Sequence, residues 1–377
     1  MKLTVDQYND YERKVQKDLP NRAIQGFRPA TFLQENYPDR VLEDVELIRY
    51  VDVMQGPKAK TYVAENVTYS EDESRLIRKI CESVGELTLH TFGKKILPWI
   101  SPLAAVRMFR IITAFSSFAE CLGLKRGDLS IFEIGPGSGY LGAQLISAGY
   151  RYASMDNTQA FYLWQNRLYD HLAKEEFTEL AFDSNAMDQN RVMHIPWWKY
   201  CTLYENNTVT ADIVCCDHVL GEVGKRALKY IVRASKQMLS SSKVPLFIFG
   251  SPGKLQISNL DDIHAAFLEA GFVLVNYYKG FFAYTPKGSA LAMYEVGSKT
   301  LPHTLFQRVV KKLREKIKHE YLLYKSIEKE IELYNPSNSS NRYSAQEFMD
   351  FSLETSPYDY KFLSFLGQGI PQRREKN

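Results

Sequence analysis

The chain has 377 residues, which is enough for one large domain with additions or for two domains. Its hydrophobic fraction of 45% can supply a sizeable core, and its charged fraction of 24% is ordinary for a soluble protein. The net charge of +3 is too small to indicate a nucleic-acid partner, so we expect none.

The cysteines indicate a reducing compartment. There are five of them, an odd number, and no two form a CxxC pair. In a chain of this length we expect reduced, mostly buried thiols of a cytosolic protein, and no zinc site. The five positions are Cys81, Cys121, Cys201, Cys215 and Cys216.

The hydropathy pattern predicts no membrane span. The sequence begins with a polar stretch that lacks the apolar core of a signal peptide. The most apolar helical segment, residues 100–124, carries Arg107, Arg110 and Glu120. Because charged side chains are costly inside a bilayer, this segment is predicted to be a core or interface helix. We therefore expect a cytoplasmic protein.

Residues 1–127 are predicted to form a helical region. Residues 1 to about 60 mix charges, aromatic residues and prolines, which indicates short helices and loops without an assignable site. A helix is predicted over 69–85, where Ser70 is a good N-cap followed by acidic residues. A second helix is predicted over 102–121. Such a region could form a homo-oligomer, cover an active site or shape a substrate pocket.

Residues 128–298 alternate between strand and helix patterns, which predicts parallel βαβ units. Strands are predicted at 129–134, 151–155, 191–195, 212–216 and 245–249. Helices are predicted at 159–172, 225–239 and 260–270.

A glycine-rich turn follows the first predicted strand and precedes an apolar helical pattern. Gly135, Gly137 and Gly139 allow positive φ and a close approach of a ligand to the backbone. The helix N-terminus behind them suits an anionic group. The glycines fit two known sequence motifs in different registers. The glycines from Gly137 to Gly142 fit the GxGxxG of dinucleotide enzymes, whereas Glu133 before GxGxG resembles motif I of class I S-adenosylmethionine (SAM)-dependent methyltransferases.

The position of Glu133 favours the methyltransferase register. A carboxylate at the end of this strand is unfavourable beside a pyrophosphate, because like charges repel each other. The same carboxylate suits the ammonium group of a methionine moiety. We therefore expect Glu133 to hold the methionine end of SAM.

The last two predicted strands of this region, 272–278 and 289–296, are too close together for a crossover helix between them. They must therefore pair antiparallel. A mostly parallel sheet that ends in an antiparallel hairpin is the arrangement expected of class I methyltransferases, and an ordinary dinucleotide domain would not need it. The predicted fold class is thus α/β and Rossmann-like, with helical additions at both ends.

A second candidate for cofactor binding is Asp156, which ends the second predicted strand about 20 residues past the glycines. A carboxylate there can accept both ribose hydroxyls of a nucleoside cofactor. This position fits NAD and SAM equally. The candidate cofactor-binding set also includes Tyr140, Asn157, Ile195 and Asp217.

The candidate catalytic residues follow the strand predicted at 212–216. Ligands of open α/β sheets lie beyond the carboxyl ends of the strands, so Asp217 and His218 are expected to face the methyl sulfonium. A neutral His218 could take a proton from a hydroxyl as the methyl arrives, or it could simply pack beside the cofactor. Glu222 could orient His218 or cap the next helix. The turn lacks the (D/N)PP(Y/F) pattern of adenine methyltransferases.

Two further segments combine polar and aromatic residues. Gln165 and Asn166 in the helix predicted at 159–172 would be unusual in a core without partners. Trp197 and Trp198 could flank the adenine, form the floor of a sugar site, or pack as a corner of the core.

Four segments in order, FEIGPGSGYLG, MDNTQAFYLWQNRL, HIPWW and CCDHVLGEV, resemble a bacterial family of sugar O-methyltransferases. The similarity covers about residues 128–296. It implies a Rossmann-like SAM domain, a hydroxyl of a sugar or glycoconjugate as acceptor, and a place in polysaccharide biosynthesis. Some sugar O-methyltransferases use Mg²⁺. Asp217 and Glu222 could supply oxygen ligands, but the sequence contains no full ligand set, so no metal ligands are assigned.

Two alternatives stay open at this point: an NAD(P)-dependent sugar oxidoreductase that uses the other glycine register, and a non-catalytic SAM-binding protein. Residues 299–377 are predicted to be a helical, charged extension interrupted by a loop at 335–341. Its basic residues are interpreted as a solvated face of an amphipathic helix in preference to a binding patch.

Overall fold

The structure is a computed structural model that describes residues 2–19, 40–48, 69–98, 100–182, 190–202, 209–250, 257–278 and 281–295. The predicted C-terminal extension at 299–377 lies outside these residues. In the part of the chain that is described, no helix is both long enough and apolar enough to cross a membrane.

An eight-stranded sheet forms the centre of the fold. Its strands are β1 (Ser130–Ile134), β2 (Arg151–Asp156), β3 (Phe177–Glu179), β4 (Val192–Pro196), β5 (Ile213–Cys216), β6 (Leu246–Phe249), β7 (Phe272–Tyr278) and β8 (Phe281–Pro286). The strand order is β3-β4-β2-β1-β5-β6-β8-β7. Every neighbouring pair is parallel except those of β8, which runs antiparallel to β6 and β7. The predicted α/β fold, a mostly parallel sheet ending in an antiparallel hairpin, is confirmed.

The helices agree closely with the sequence pattern. Among the described residues they are α1 (Val5–Gln16), α2 (Glu71–Phe92), α3 (Ile100–Cys121), α4 (Tyr140–Ser147), α5 (Gln159–Ala173), α6 (Trp197–Tyr200), α7 (Lys225–Met238) and α8 (Leu260–Glu269). Ser70 caps α2 as predicted, and its Oγ accepts from the backbone N–H of Glu73 at 3.2 Å. The helix runs beyond residue 85 and ends where Gly93 adopts a φ of 68°.

The second strand of the hairpin differs from the prediction. The sequence predicts it at 289–296, but the structure has β8 at Phe281–Pro286 and a 3₁₀-helix at Ala290–Tyr294, so that prediction is wrong. The aromatic start of β8 explains the difference: its first five residues are buried, and Phe282 pairs with Phe249 of β6. The edge strand β3 has three residues, too few for an alternating pattern to reveal it.

The first residues of the chain pack against α5. The N–H of Leu3 donates to Asn166 Oδ1 at 2.9 Å, and Arg167 forms an ion pair with Asp44 at 2.8 Å. Gln159 Nε2 donates to Asn9 Oδ1 at 2.8 Å. The polar side chains of this buried helix therefore do have partners, supplied by residues more than a hundred positions away.

Candidate cofactor and acceptor site

The glycine loop joins β1 to α4 at the carboxyl edge of the sheet. Gly135, Gly137 and Gly139 have φ values of 64°, 55° and 77°, which L side chains rarely adopt. A Cβ on Gly137 would meet no atom within 4 Å, so this glycine borders open space. The predicted strand, tight turn and helix are confirmed, and the loop leaves room for a ligand beside its backbone.

A fourth glycine permits close packing of α4 on the sheet. A Cβ on Gly142 would lie 2.5 Å from the hydroxyl oxygen of Tyr152 and 2.6 Å from that of Tyr169. Real Cβ atoms essentially never come this near to another heavy atom. Gly142 therefore lets the helix approach these two tyrosines, whose hydroxyls are 3.1 Å apart.

Replacing Gly142 by alanine is expected to lower the free energy of unfolding by about 1–3 kcal/mol, the typical cost of overpacking a core. Chemical denaturation measures this value. Gly127→Ala is the matched control, because its nearest atom, the carbonyl oxygen of Gly149, would be 3.9 Å from the new Cβ. Equal stability of the two variants would contradict the close approach at Gly142.

Glu133 lies near the end of β1, two residues before Gly135. It is 6% exposed, and its Oε2 accepts from the hydroxyl of Tyr152 at 2.6 Å. Burial raises the pKa of Glu133 to about 8; the charges of Asp156 and Asp217 raise it further, and the Tyr152 hydrogen bond opposes them. An adjacent ammonium would favour ionisation, so this carboxyl group is suited to a cationic ligand.

Asp156 ends β2 and is 3% exposed. Its Oδ2 accepts from the N–H of Gly137 at 3.1 Å and from Gln165 Nε2 at 2.9 Å, and its Oδ1 accepts from the N–H of Thr158 at 2.9 Å. Burial raises its pKa, and these three hydrogen bonds oppose the rise. Asp156 thus stabilises the glycine loop through the N–H of Gly137, a role that the sequence did not indicate. Its Oδ1 can accept one further hydrogen bond from a ligand.

The remaining cofactor candidates lie close to these groups. Ile195 is fully buried in β4 and pairs with Met155, one residue before Asp156. Tyr140 is 1% exposed, and its surroundings include Cys81 of α2, so its side chain packs into the N-terminal helices. The backbone of Tyr140, at the first turn of α4, is therefore the part of this residue that a ligand could contact. Asn157 is half-buried directly after β2.

Asp217 and His218, on the side of the site where an acceptor would bind, are more exposed than Glu133 and Asp156. His218 Nδ1 is 3.0 Å from Asp217 Oδ1, and the two side chains are 40% and 45% exposed. His218 has a φ of 58°, a conformation that costs about 1–2 kcal/mol for a residue with a Cβ. Asp217 Oδ1 lies over the backbone of Gly250 at the end of β6. Strain of this kind is concentrated at functional sites.

This turn lies against the glycine loop. Val219 Cγ2 would be 2.7 Å from a Cβ on Gly135, and Glu133 pairs in register with Cys215 on β5. The structure therefore brings the two predicted groups, cofactor loop and Asp217–His218 pair, to one edge of the sheet. Glu222 lies in the turn that follows, and the N-cap of α7 is Gly224.

Two side chains of helix α5 donate hydrogen bonds to backbone carbonyls of the glycine loop. Trp164 Nε1 donates to the carbonyl of Ser138 at 3.2 Å, and Gln165 Nε2 donates to the carbonyl of Gly137 at 2.8 Å. In the sequence Gln165 is an unusual core residue, and its partners become visible only in the structure. The available signal was a polar residue among aromatic ones in a helix of mixed polar and aromatic composition.

The two tryptophans after β4 form a packed corner. Trp197 and Trp198 are 4% and 2% exposed, and Trp197 Nε1 donates to Glu12 of α1 at 2.8 Å. Trp198 packs edge-on against Tyr8 with ring centroids 5.0 Å apart. Neither indole presents a free face, so their interpretation as the floor of a sugar site is wrong.

The part of the chain described by the structure contains no group of three or more His, Cys, Asp or Glu side chains that could hold a metal ion. Asp217 and Glu222 are therefore not joined by a third such ligand there.

Comparisons with known proteins were made at the level of sequence and of structure. The sequence matches no protein-family model and no curated protein. Solved structures with a similar fold include a TehB-like SAM-dependent methyltransferase from Corynebacterium glutamicum, with 14% identity and a TM-score of 0.33, covering 48% of this chain and 96% of that one.

Two further similar structures are magnesium protoporphyrin IX methyltransferase from Synechocystis with bound SAM, and MtNAS in complex with MTA and tNA. The first has 16% identity and a TM-score of 0.31, covering 59% of this chain and 100% of its own. The second has 12% identity and a TM-score of 0.34, covering 74% and 97%. Likenesses this distant carry no argument about activity. The strand order, the antiparallel hairpin and the glycine loop define the class I methyltransferase fold.

Proposed function

We propose that the protein is a SAM-dependent O-methyltransferase that acts on a hydroxyl of a sugar or glycoconjugate. The observation that carries the cofactor is the set of three carboxyl groups beside the glycine loop. Glu133, Asp156 and Asp217 are close enough for the charges of the latter two to raise the pKa of Glu133. The charges of Asp156 and Asp217, with a Glu133 carboxyl group that a bound cation would ionise, suit a sulfonium and an ammonium group and oppose the pyrophosphate of NAD(P).

The residues present fit SAM in three respects. Gly137 borders open space, so the backbone of the loop is accessible to a ligand. Glu133 would hold the ammonium, and Asp156, through Oδ1, would accept from the ribose. When bound, the cofactor supplies an activated methyl group on a sulfonium, which is a good leaving group. The antiparallel β7–β8 hairpin also counts against the NAD(P)-dependent oxidoreductase, whose fold does not need it.

His218 is the proposed general base. The Asp217 carboxylate faces Nδ1, so Nδ1 carries the hydrogen and Nε2 is the basic nitrogen of the neutral ring. Nε2 can then take the proton of an acceptor hydroxyl while the methyl group is transferred to its oxygen. Asp217 acts on the histidine by orienting it and stabilising the imidazolium. The choice of oxygen as acceptor rests on this pair, and the choice of a sugar rests on the family resemblance of the sequence.

Calorimetric titration with S-adenosylhomocysteine (SAH) tests the cofactor, with NADH as the parallel control. We expect binding of SAH in the micromolar range and no binding of NADH. Asp156→Ala is expected to weaken SAH binding about tenfold or more, since it removes both a ribose acceptor and the brace of the glycine loop. Preference for NADH, or no binding of either nucleotide, would contradict the proposal.

A further inference from the structure

A chain of buried polar side chains runs behind the glycine loop. Glu179 of β3 contacts His194 of β4, with Oε2 2.8 Å from Nδ1. His194 Nε2 is 3.1 Å from Gln165 Oε1 on α5. Gln165 Nε2 in turn reaches Asp156 Oδ2 at 2.9 Å and the carbonyl of Gly137 at 2.8 Å. All four side chains are 5% exposed or less.

The hydrogen bonds fix the direction of the Gln165 amide. Its nitrogen gives one hydrogen to the Asp156 carboxylate and the other to the Gly137 carbonyl. A flipped amide would place its oxygen against both acceptors, which is unfavourable. Oε1 must therefore face His194, and the Nε2 of His194 must carry the hydrogen that Oε1 accepts.

The other end of the chain holds the histidine in place. Glu179 also accepts from the side chains of Tyr162 and Asn166 and from the backbone N–H of Ala181. A carboxyl group with three other donors serves as an acceptor, so Nδ1 of His194 donates to it. The imidazole ring also stacks on the Tyr162 ring, with centroids 3.8 Å apart. Strand pairing sets Glu179 directly opposite His194.

We propose that Glu179, His194 and Gln165 are positioning residues of the cofactor site. The contact with Glu179 holds the His194 ring in place, and Nε2 of the ring donates to Gln165 Oε1, which orients the Gln165 amide. That amide, with Asp156, holds Gly137 at both its carbonyl and its N–H. This arrangement keeps the loop open and directs the Asp156 Oδ1 edge toward the ribose. The inference rests on the proposed function, since it assumes SAM at this loop.

Two substitutions of His194 separate positioning from mere packing. The amide nitrogen of His194→Gln lies near the original Nε2 and keeps a donor toward Gln165, whereas that of His194→Asn lies near Nδ1 and keeps only the donor toward Glu179. Each variant therefore loses one of the two hydrogen bonds of the His194 ring. We expect His194→Asn to bind SAH about tenfold more weakly than the wild type, as expected for loss of a buried hydrogen bond, and His194→Gln to bind within about threefold of it. The KM for SAM should follow the same order.

Two further variants complete the series. Gln165→Glu preserves the shape of the side chain but sets a carboxylate oxygen against Asp156 and the Gly137 carbonyl, so SAH affinity should fall more than tenfold. Tyr150→Phe removes a buried hydrogen bond to Ser116, whose Oγ lies 2.9 Å from the Tyr150 hydroxyl, outside this set of side chains, and its SAH affinity should equal that of the wild type. Thermal unfolding of each variant identifies the temperature at which all of them are folded for titration.

The SAH affinities of these variants test the positioning role. Weak binding by His194→Asn and Gln165→Glu, with near-normal binding by His194→Gln and Tyr150→Phe, supports the positioning role. Equal SAH affinities for His194→Asn and His194→Gln overturn it, because the direction of the donor would then not matter. A wild-type protein that does not bind SAH would instead overturn the proposed function, and this inference with it.

Discussion

Replacing Glu133 by glutamine is expected to stabilise the protein at pH 8 and to abolish tight SAH binding. In the folded protein burial raises the pKa of Glu133 to about 8, from an ordinary value of 4.5. The stability contribution of such a group is complete below pH 4.5 and is lost as the pH rises to 8. Glutamine keeps an acceptor for the Tyr152 hydroxyl and has no charge to desolvate, so it avoids this loss.

The expected gain in free energy of unfolding at pH 8 is about 4 kcal/mol, since the pKa rises from 4.5 to about 8 and each pKa unit corresponds to about 1.4 kcal/mol. Denaturant titrations of both proteins between pH 4 and 9 measure it. The difference should be near zero at pH 4, grow between pH 4.5 and 8, and level off above. A constant difference across this range would mean that the Glu133 carboxyl group is ionised in the folded protein.

SAH binding should show the opposite dependence. The ammonium of the ligand favours an ionised Glu133, so binding releases a proton from the wild-type protein below pH 8. Affinity should therefore rise with pH and become level near pH 8, while Glu133→Gln should bind weakly at every pH. Calorimetry in buffers of different ionisation enthalpy detects the released proton. If Glu133→Gln were less stable than the wild type and bound SAH equally well, Glu133 would not belong to the cofactor site.

Replacing His218 by alanine is expected to lower kcat for methyl transfer about 10²–10⁴-fold and to leave SAH affinity unchanged. The imidazole lies 3.0 Å from Asp217 and is 40% exposed, so it can reach an acceptor. The assay uses tritium-labelled SAM with a panel of monosaccharides and nucleotide sugars. His90→Ala, an exposed histidine on α2, is the control.

The two measurements on His218→Ala separate the remaining possibilities. Full turnover by the variant would mean that another group takes the proton. Loss of SAH binding would place His218 in the cofactor site instead. Binding by the wild type without methyl transfer to any acceptor, unchanged in the variant, would favour a non-catalytic SAM-binding protein.

Local patterns predicted the parts of the site that depend on neighbouring residues. The glycine loop, the acid before it and Asp156 all follow from short strand-to-helix transitions. The Asp217–His218 pair could be placed because parallel strands end at the same edge. The position of β8 was misjudged, because apolar residues continue past its end into the 3₁₀-helix at Ala290–Tyr294.

Long-range contacts explain what the sequence could not indicate. Nothing near Glu179 in the chain points to His194, which it meets only because β3 and β4 pair in register. The same holds for Trp197, whose partner Glu12 lies 185 positions earlier. Without that partner, a buried corner and an exposed sugar platform have the same sequence pattern. Three-dimensional pairing, not composition, distinguishes them.

The anchoring of the amino-terminal segment on α5 also has a consequence for biosynthesis. Leu3 and Asn166 are 163 positions apart, so the first residues leave the ribosome long before their partner exists. At ordinary rates of translation the delay is roughly 10–30 seconds. During that time the buried face of α1, including Tyr8, has no core to join. Helix α5 thus gains its partner at Leu3 only late in synthesis, and during the delay α1 exposes an apolar face to chaperones that bind such segments.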